Sequence, residues 1–152
     1  MEVLLVDDQA LTVQVYAAAV RKTFSGARVH TAVALPEALQ IASGHALDLV
    51  LLDLALPNCS GIDALMRFGS AFPRVPVLVV SATEDRERIQ ECLDGGARGY
   101  IPKSSAVTGL PAAMKLVLAG GQYVPPEALV PVSAEVGSAL REFRAGGLSQ
   151  SP

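Results

Sequence analysis

Residues 49–57 read LVLLDLALP, and this stretch decides the fold class. Four successive apolar residues followed by an aspartate are typical of a strand buried on both faces of a parallel sheet. Similar runs occupy residues 3–6, 29–33, 77–80 and 99–101, of which 29–33 is weaker and alternates. The sequence therefore predicts five short strands, each separated from the next by a longer segment.

The segments between these runs have helical periodicity. Apolar residues recur every three or four positions over 11–24, 36–42, 62–68, 85–93 and 107–119. Pro36 suits a first helical turn, and the glycine pairs at 95–96 and 120–121 suit helix ends. Strict alternation of five strands with five helices predicts an α/β fold, a doubly wound parallel sheet with flanking helices.

Beyond Gly121 the character of the chain changes. Pro125, Pro126 and Pro131 cannot continue the preceding helix, so we assign residues 1–121 to one domain and 122–152 to a tail. Helical spacing returns over 133–144 and predicts an extra helix with one apolar face. A linker and an interface helix are both open for this segment.

The residues that end the strands form a chemically coherent set. In a doubly wound sheet the ligand site lies beyond the carboxyl ends of the strands, where strand order reverses. The predicted strands end in Asp7 and Asp8, in Asp53, in Ser81 and near Lys103. Singly, each would most often be a helix cap, a turn or a surface charge, but their convergence on one edge favours a site.

This set meets the needs of phosphoryl transfer to a carboxylate. Clustered carboxylates supply the oxygen ligands that Mg²⁺ prefers, with Asp8 and Asp53 as direct ligands and Asp7 acting through water. A strand-end carboxylate is a nucleophile for phosphorus, which makes Asp53 the phosphoacceptor. Lys103 would neutralise charge on the phosphoryl oxygens, and Ser81 would donate a hydrogen bond to them.

The sequence resembles response-regulator receiver domains, with a CheY/flavodoxin-like fold, from about residue 2 to residue 121. Four segments stand where the motifs of that family would. They are residues 4–8 (LLVDD), residues 51–57 (LLDLALP) with Gly61, residues 80–82 (VSA) and residues 99–103 (GYIPK). The resemblance implies a two-component phosphoacceptor that catalyses only its own phosphorylation and dephosphorylation and is otherwise not an enzyme.

The family pattern also implies roles for further residues. The backbone carbonyl of Ala55 would complete the ligands of Mg²⁺, or of Mn²⁺ in its place, and Ala82 would border the phosphoryl group beside Ser81. Phosphorylation would let Tyr100 swing inward. The donor would be a sensor histidine kinase, docking near the first helix, or a phosphotransfer protein. The domain would form a homodimer on phosphorylation.

The sequence departs from the family pattern at the lysine. Many receivers carry a proline directly after this lysine, whereas here Pro102 precedes Lys103 and Ser104 follows it. Ala55 and Thr83 are small and uncharged at positions that tune the lifetime of the phosphoryl group, so no lifetime is predicted from them.

The segment 120–127 (GGQYVPPE) is similar to the junction that follows the receiver in NarL/LuxR-type transcription regulators. This similarity implies control of transcription through a DNA-binding domain absent from this chain. A stand-alone receiver, or a degenerate one that acts as a protein-binding or dimerisation module, is the alternative. A haloacid-dehalogenase-like phosphatase would need an acid where Ala55 stands.

Composition excludes other classes. A net charge of −3 without a basic stretch gives no footprint for nucleic acid, and no apolar run reaches the length of a membrane span. With no signal peptide in view, we expect a cytoplasmic protein with reduced Cys59 and Cys92. His30 and His45 show no partners for a metal or a phosphorelay role, and we interpret both as structural or solvated.

Overall fold

The computed structural model describes residues 1–129 and contains one five-stranded sheet with flanking helices. The strands are β1 (Glu2–Val6), β2 (Arg28–Ala32), β3 (Leu49–Asp53), β4 (Val77–Ser81) and β5 (Gly99–Pro102). The helices are α1 (Ala10–Thr23), α2 (Leu35–Gly44), α3 (Gly61–Ala71), α4 (Arg86–Asp94), α5 (Lys103–Leu118) and the short α6 (Pro126–Leu129).

All strand pairs are parallel, in the order β2-β1-β3-β4-β5. The chain therefore steps from β1 to one side and then returns past β1 to β3. This reversal lies between β1 and β3, which is where a doubly wound sheet opens a crevice. We call the side on which the strands end the carboxyl edge and the side on which they begin the amino edge. The predicted fold class is confirmed.

Two hydrophobic cores cover the faces of the sheet. On one face Leu4 and Leu52 pack with Phe68 of α3 and Ile89 of α4. On the other, Leu5 and Leu51 of β1 and β3 pack with α1 and α5. Alternate residues of each central strand thus enter opposite cores, which explains why β3 and β4 are apolar at nearly every position.

Most predicted elements were placed to within a few residues, with one informative difference. The sequence predicts a helix over 107–119, after the last strand, but α5 begins four residues earlier, at Lys103. The first turn of α5 is polar and shows no apolar periodicity, so the pattern could not mark it. Its Ser105 hydroxyl instead donates a hydrogen bond to the Pro102 carbonyl, 3.3 Å away.

The segment after Gly121 returns to the sheet. Tyr123 forms a parallel bridge with Gly99, and the Tyr100 amide donates to the Tyr123 carbonyl at 3.1 Å. α6 follows and packs Ala128 against the core. The helix predicted over 133–144 lies outside the described residues, and the division at residue 121 stays a prediction. No helix in the described part of the chain is long and apolar enough to cross a membrane.

Candidate functional site

The carboxyl edge brings the three predicted aspartates together. A carboxylate oxygen from each of Asp7, Asp8 and Asp53 lies within 4.8 Å of the others. Asp7 and Asp53 are buried at the ends of β1 and β3, whereas Asp8 is exposed at the mouth of the site. The cluster therefore combines two fixed carboxylates with one that solvent can reach.

Backbone groups orient the two buried carboxylates. Asp7 Oδ1 accepts a hydrogen bond from the Gln9 amide at 2.9 Å, and Asp53 Oδ1 accepts one from the Ala55 amide at 3.0 Å. In each case the following loop turns back and caps the carboxylate. The second oxygen of each is thereby left to face the other members of the site.

Lys103 supplies the cation at this edge. Its Nζ lies 3.2 Å from Asp53 Oδ2, to which it donates a hydrogen bond, and 3.5 Å from Asp7 Oδ2. Burial by itself would lower the pKa of Lys103, but the attraction of Asp53 and Asp7 outweighs it and raises that pKa. The lysine stays charged. Its unusual place after Pro102, at the start of α5, does not prevent it from reaching the carboxylates.

The site holds more negative than positive charge. Burial, with repulsion from Asp53, raises the pKa of Asp7, although the Gln9 amide and Lys103 oppose this shift. Within the described part of the chain, buried Asp7 Oδ2 receives no hydrogen bond, since the Lys103 ammonium at 3.5 Å is only an ion-pair partner. An oxygen left without a donor among three carboxylates fits a hard divalent cation such as Mg²⁺.

The end of β4 lies beside these carboxylates and is linked to β5. Buried Ser81 accepts a hydrogen bond from the Thr83 amide at 3.4 Å through its hydroxyl oxygen. The Tyr100 ring is fully buried and its hydroxyl donates to the Thr83 carbonyl at 2.7 Å. The structure thus contains Tyr100 in its inward position, and an exchange with an outward one stays a prediction.

The loop after Asp53 is shaped by a close approach at Gly61. A side-chain carbon at this position would lie 2.6 Å from Leu54 Cβ and 2.9 Å from the Leu54 carbonyl oxygen. Only glycine allows the start of α3 to pack this tightly on the loop. Ala55 is exposed in this loop, and Ala82 is exposed beside Ser81 across an open cleft. Both predicted positions therefore border the same opening.

Two residues near this edge were not predicted from the sequence. Tyr16 of α1 is buried beside the charged cluster, where burial raises the pKa of its hydroxyl. Arg88 of α4 lines the cleft with Ala55 and Thr83. The i, i+4 spacing of Tyr16 and Val20 on the buried face of α1 could have indicated the first. No pattern in the sequence marks Arg88.

The expectation that the two histidines have no partners for a metal is wrong. His30 Nε2 lies 2.8 Å from Glu2 Oε1, and His45 Nδ1 lies 3.4 Å from the same oxygen. The three residues come from β1, β2 and the segment after α2, and their distance along the sequence hid the contact. This cluster lies at the amino edge, opposite the aspartates.

Comparisons with known proteins agree with the fold. The family model described as "Response regulator receiver domain" matches residues 3–115. The Glycerol metabolism activator of Pseudomonas putida is 32% identical over 127 residues, which cover 83% of this chain but only 58% of that relative. The chain thus spans little more than half of this curated protein.

Solved structures give the same result. A LuxR family DNA-binding response regulator from Silicibacter pomeroyi is 34% identical, with a TM-score of 0.73, over 82% of this chain and 97% of that one. The isolated REC domain of RcsB from Salmonella enterica serovar Typhimurium, with phosphomimetic BeF3−, covers 84% of this chain and 95% of its own. It has a TM-score of 0.78 at 18% identity, which supports the fold alone. From the family match and these likenesses, this chain belongs to the response regulator receiver domain family.

Proposed function

We propose that Asp53 accepts a phosphoryl group from a phosphohistidine of a sensor histidine kinase or a phosphotransfer protein. The observation that carries this proposal is the buried Asp53 carboxylate, oriented by the Ala55 amide and held 3.2 Å from the Lys103 ammonium. A fixed nucleophile beside a fixed cation suits transfer of a highly charged group.

Mg²⁺ is the cofactor that the donor set fits, with Mn²⁺ as a substitute. Asp8 and Asp53 would hold the ion directly, the Ala55 carbonyl would add a ligand, and Asp7 would act through water. Bound there, the ion would neutralise the carboxylates and the phosphoryl oxygens. Asp7 Oδ2, buried without a hydrogen bond among the described residues, is the observation that supports this assignment.

In the transfer, a carboxylate oxygen of Asp53 forms a bond to phosphorus as the bond from phosphorus to the donor imidazole nitrogen breaks. The electron pair of the broken bond stays with the imidazole, and the product is an aspartyl phosphate. Lys103, released from its contact with Asp53, would pair with a phosphoryl oxygen. The Ser81 hydroxyl would donate to another, beside the small side chain of Ala82.

The new contact at Ser81 is also the origin of the proposed switch. Ser81 and Tyr100 are joined through Thr83, so a shift at Ser81 would change how the Tyr100 ring is held. The surface formed by α4, β5 and α5 would repack in response, as in other switches driven by local charge. The output would be control of transcription through a DNA-binding domain.

A second copy of the domain is the proposed partner after phosphorylation. Leu11 and Val15 on α1, and Val107 on α5, are exposed apolar residues on helices that pack side by side. An exposed apolar patch of this kind is typical of an interaction surface. The same region of α1 is where we place kinase docking.

Intact-protein mass spectrometry after incubation with acetyl phosphate and Mg²⁺ tests the phosphoacceptor. The wild type and Asp94→Asn, a change at an exposed aspartate of α4, should each gain one phosphoryl group. The gain should vanish in Asp53→Asn and when a chelator removes Mg²⁺. An unmodified wild type would make a degenerate binding module the better account.

A further inference from the structure

The amino edge of the sheet carries a cluster that the proposed phosphoryl chemistry does not use. Glu2 Oε1, His30 Nε2 and His45 Nδ1 lie within 4.8 Å of one another. The His30 and His45 rings are packed with their centroids 4.2 Å apart. Two imidazole nitrogens and a carboxylate oxygen therefore converge on one point, from three different parts of the chain.

The strand register explains why Glu2 and His30 meet. Glu2 pairs with Arg28 and Leu4 pairs with His30, so the side chains of Glu2 and His30 leave the same face of the sheet at neighbouring positions. His45 caps the end of α2 and enters from above this face. The cluster thus joins β1, β2 and the segment between α2 and β3.

Asp48 fixes the backbone of Glu2 on both sides. The Glu2 amide donates to Asp48 Oδ2 at 2.7 Å, and the Glu2 carbonyl accepts from the Asp48 amide at 2.8 Å. This pair of contacts sets the direction in which the Glu2 side chain leaves β1. The carboxylate is therefore positioned by its neighbours and is not a freely moving surface charge.

The side chains remain open to solvent to a degree that suits ion entry. His30, Glu2 and His45 are 15%, 28% and 39% exposed. One carboxylate and two imidazoles that ions can reach from solvent are thus available together.

We propose that Glu2, His30 and His45 bind a transition-metal cation of the zinc class. Zn²⁺ takes imidazole nitrogen and carboxylate oxygen at about 2.0–2.2 Å in a tetrahedral arrangement, which requires ligand atoms about 3.3 Å apart. The present separations lie within 4.8 Å, so rotation of these partly exposed side chains would bring the three ligand atoms to the separations that the metal requires. The fourth position is left to water or to a ligand from another molecule.

The two edges offer different ligand atoms and therefore favour different metals. The carboxyl edge offers oxygen atoms alone, the set preferred by Mg²⁺, whereas the amino edge offers two nitrogens, which favour zinc and its neighbours in the transition series. The proposal for the amino edge does not depend on phosphorylation of Asp53. Its function would be to cross-link β1, β2 and the segment after α2 through the metal.

Calorimetric titration of the untagged chain with Zn²⁺, in an excess of Mg²⁺ that occupies the aspartates, tests the site. We expect one equivalent to bind, and His30→Gln and His45→Gln to weaken binding at least tenfold. Co²⁺ used as a probe should give the visible absorption of a tetrahedral nitrogen and oxygen site without a thiolate charge-transfer band.

Cys59→Ser and Asp8→Asn are the matched controls, because a free thiol and the acidic cluster are the other sites at which Zn²⁺ could bind. Both should bind Zn²⁺ as the wild type does. The proposal is overturned when no Zn²⁺ binds, when both histidine variants bind normally, or when a control variant abolishes binding. His45 is exposed, so His45→Gln decides the matter even if His30→Gln fails to fold.

Discussion

The two edges of the sheet hold charged clusters of opposite design. At the carboxyl edge, Asp7 and Asp53 are buried, and one oxygen of each is fixed by a backbone amide. At the amino edge, Glu2 is partly exposed and shares one oxygen between His30 and His45. The first cluster holds an excess of negative charge largely buried from solvent, while the second pairs its carboxylate with two imidazoles.

This difference supports our proposals of a phosphoryl-transfer site at the carboxyl edge and a metal-binding site at the amino edge. Repulsion between buried carboxylates raises the free energy of the metal-free protein, and binding of a cation at the carboxyl edge removes that repulsion. Partly exposed charges interact weakly because water screens them, so changing their partners alters the free energy little. Changes at the carboxyl edge should therefore have large effects on reactivity, and changes at the amino edge small ones.

Apart from loss of the phosphoacceptor itself, the largest effect is expected from Lys103→Met. The variant removes the ammonium that lies 3.2 Å from Asp53 and 3.5 Å from Asp7, which leaves two buried carboxylates without their cation. The rate of phosphorylation by acetyl phosphate should fall by about a hundredfold, as for loss of one preorganised charge donor. The rate can be followed by intact mass against time.

Lys115→Met is the matched control, since Lys115 is exposed in the last turn of α5 and far along the helix from Lys103. It should react at the wild-type rate. Equal rates of phosphorylation for the two variants would show that Lys103 has no role in the reaction.

The pair Gly61→Ala and Gly69→Ala sharpens the role of the loop after Asp53. Gly61→Ala places a carbon 2.6 Å from Leu54 Cβ and should destabilise the protein by about 1–3 kcal/mol, the range for overpacking. Gly69, within α3, has nothing within 4 Å of such a carbon, so Gly69→Ala should stabilise by roughly 0.5–1 kcal/mol. Urea unfolding measures both, and changes of the same sign would show that close approach at Gly61 is unimportant.

Asp7 makes the metal-free protein sensitive to pH. Because burial raises the pKa of Asp7 above its ordinary 3.8, the folded state binds the proton more tightly than the unfolded chain. This contribution to stability is present at low pH and is lost as pH rises from 3.8 through the raised pKa. Asp7→Asn should therefore gain stability relative to the wild type between acidic and neutral pH.

Urea unfolding across that pH range, with a chelator present, measures this relative gain. Asp94→Asn provides the control, since its side chain is exposed on α4. A wild type and an Asp7→Asn variant whose stabilities run parallel with pH would contradict the raised pKa.

The smallest effect is expected from His45→Gln. The contact between His45 and Glu2 is 3.4 Å long and His45 is 39% exposed, so in the absence of metal its loss should change stability by under about 0.5 kcal/mol. Thermal unfolding and the rate of phosphorylation should both match the wild type. A large loss of phosphorylation would contradict the claim that the amino edge does not affect the chemistry at the carboxyl edge.

The carboxyl edge could be predicted because its residues follow strands directly. Asp7, Asp53, Ser81 and Lys103 each stand at or next to the end of an apolar run, and parallel strands place such ends side by side. The alternation of strands and helices gave the fold in the same way. Buried apolar strands leave a strong signal in sequence, and so do the residues that end them.

The amino edge could not be predicted because its contacts depend on register and on a loop. The pairing of Leu4 with His30, which brings His30 beside Glu2, is not encoded in any local pattern. His45 joins them only through the path of the chain after α2. The start of α5 at Lys103 could not be predicted for a related reason, since the first turn of this helix is polar and has no apolar periodicity.

The most direct test of the central claim is to locate the phosphoryl group. An aspartyl phosphate is reduced by borohydride to homoserine, which tandem mass spectrometry of peptides can place at a single residue. After reaction with acetyl phosphate and Mg²⁺, we predict homoserine at position 53 alone, with Asp7, Asp8 and the amino-edge Asp48 unchanged. Homoserine at any of those three positions, with Asp53 intact, would contradict the account.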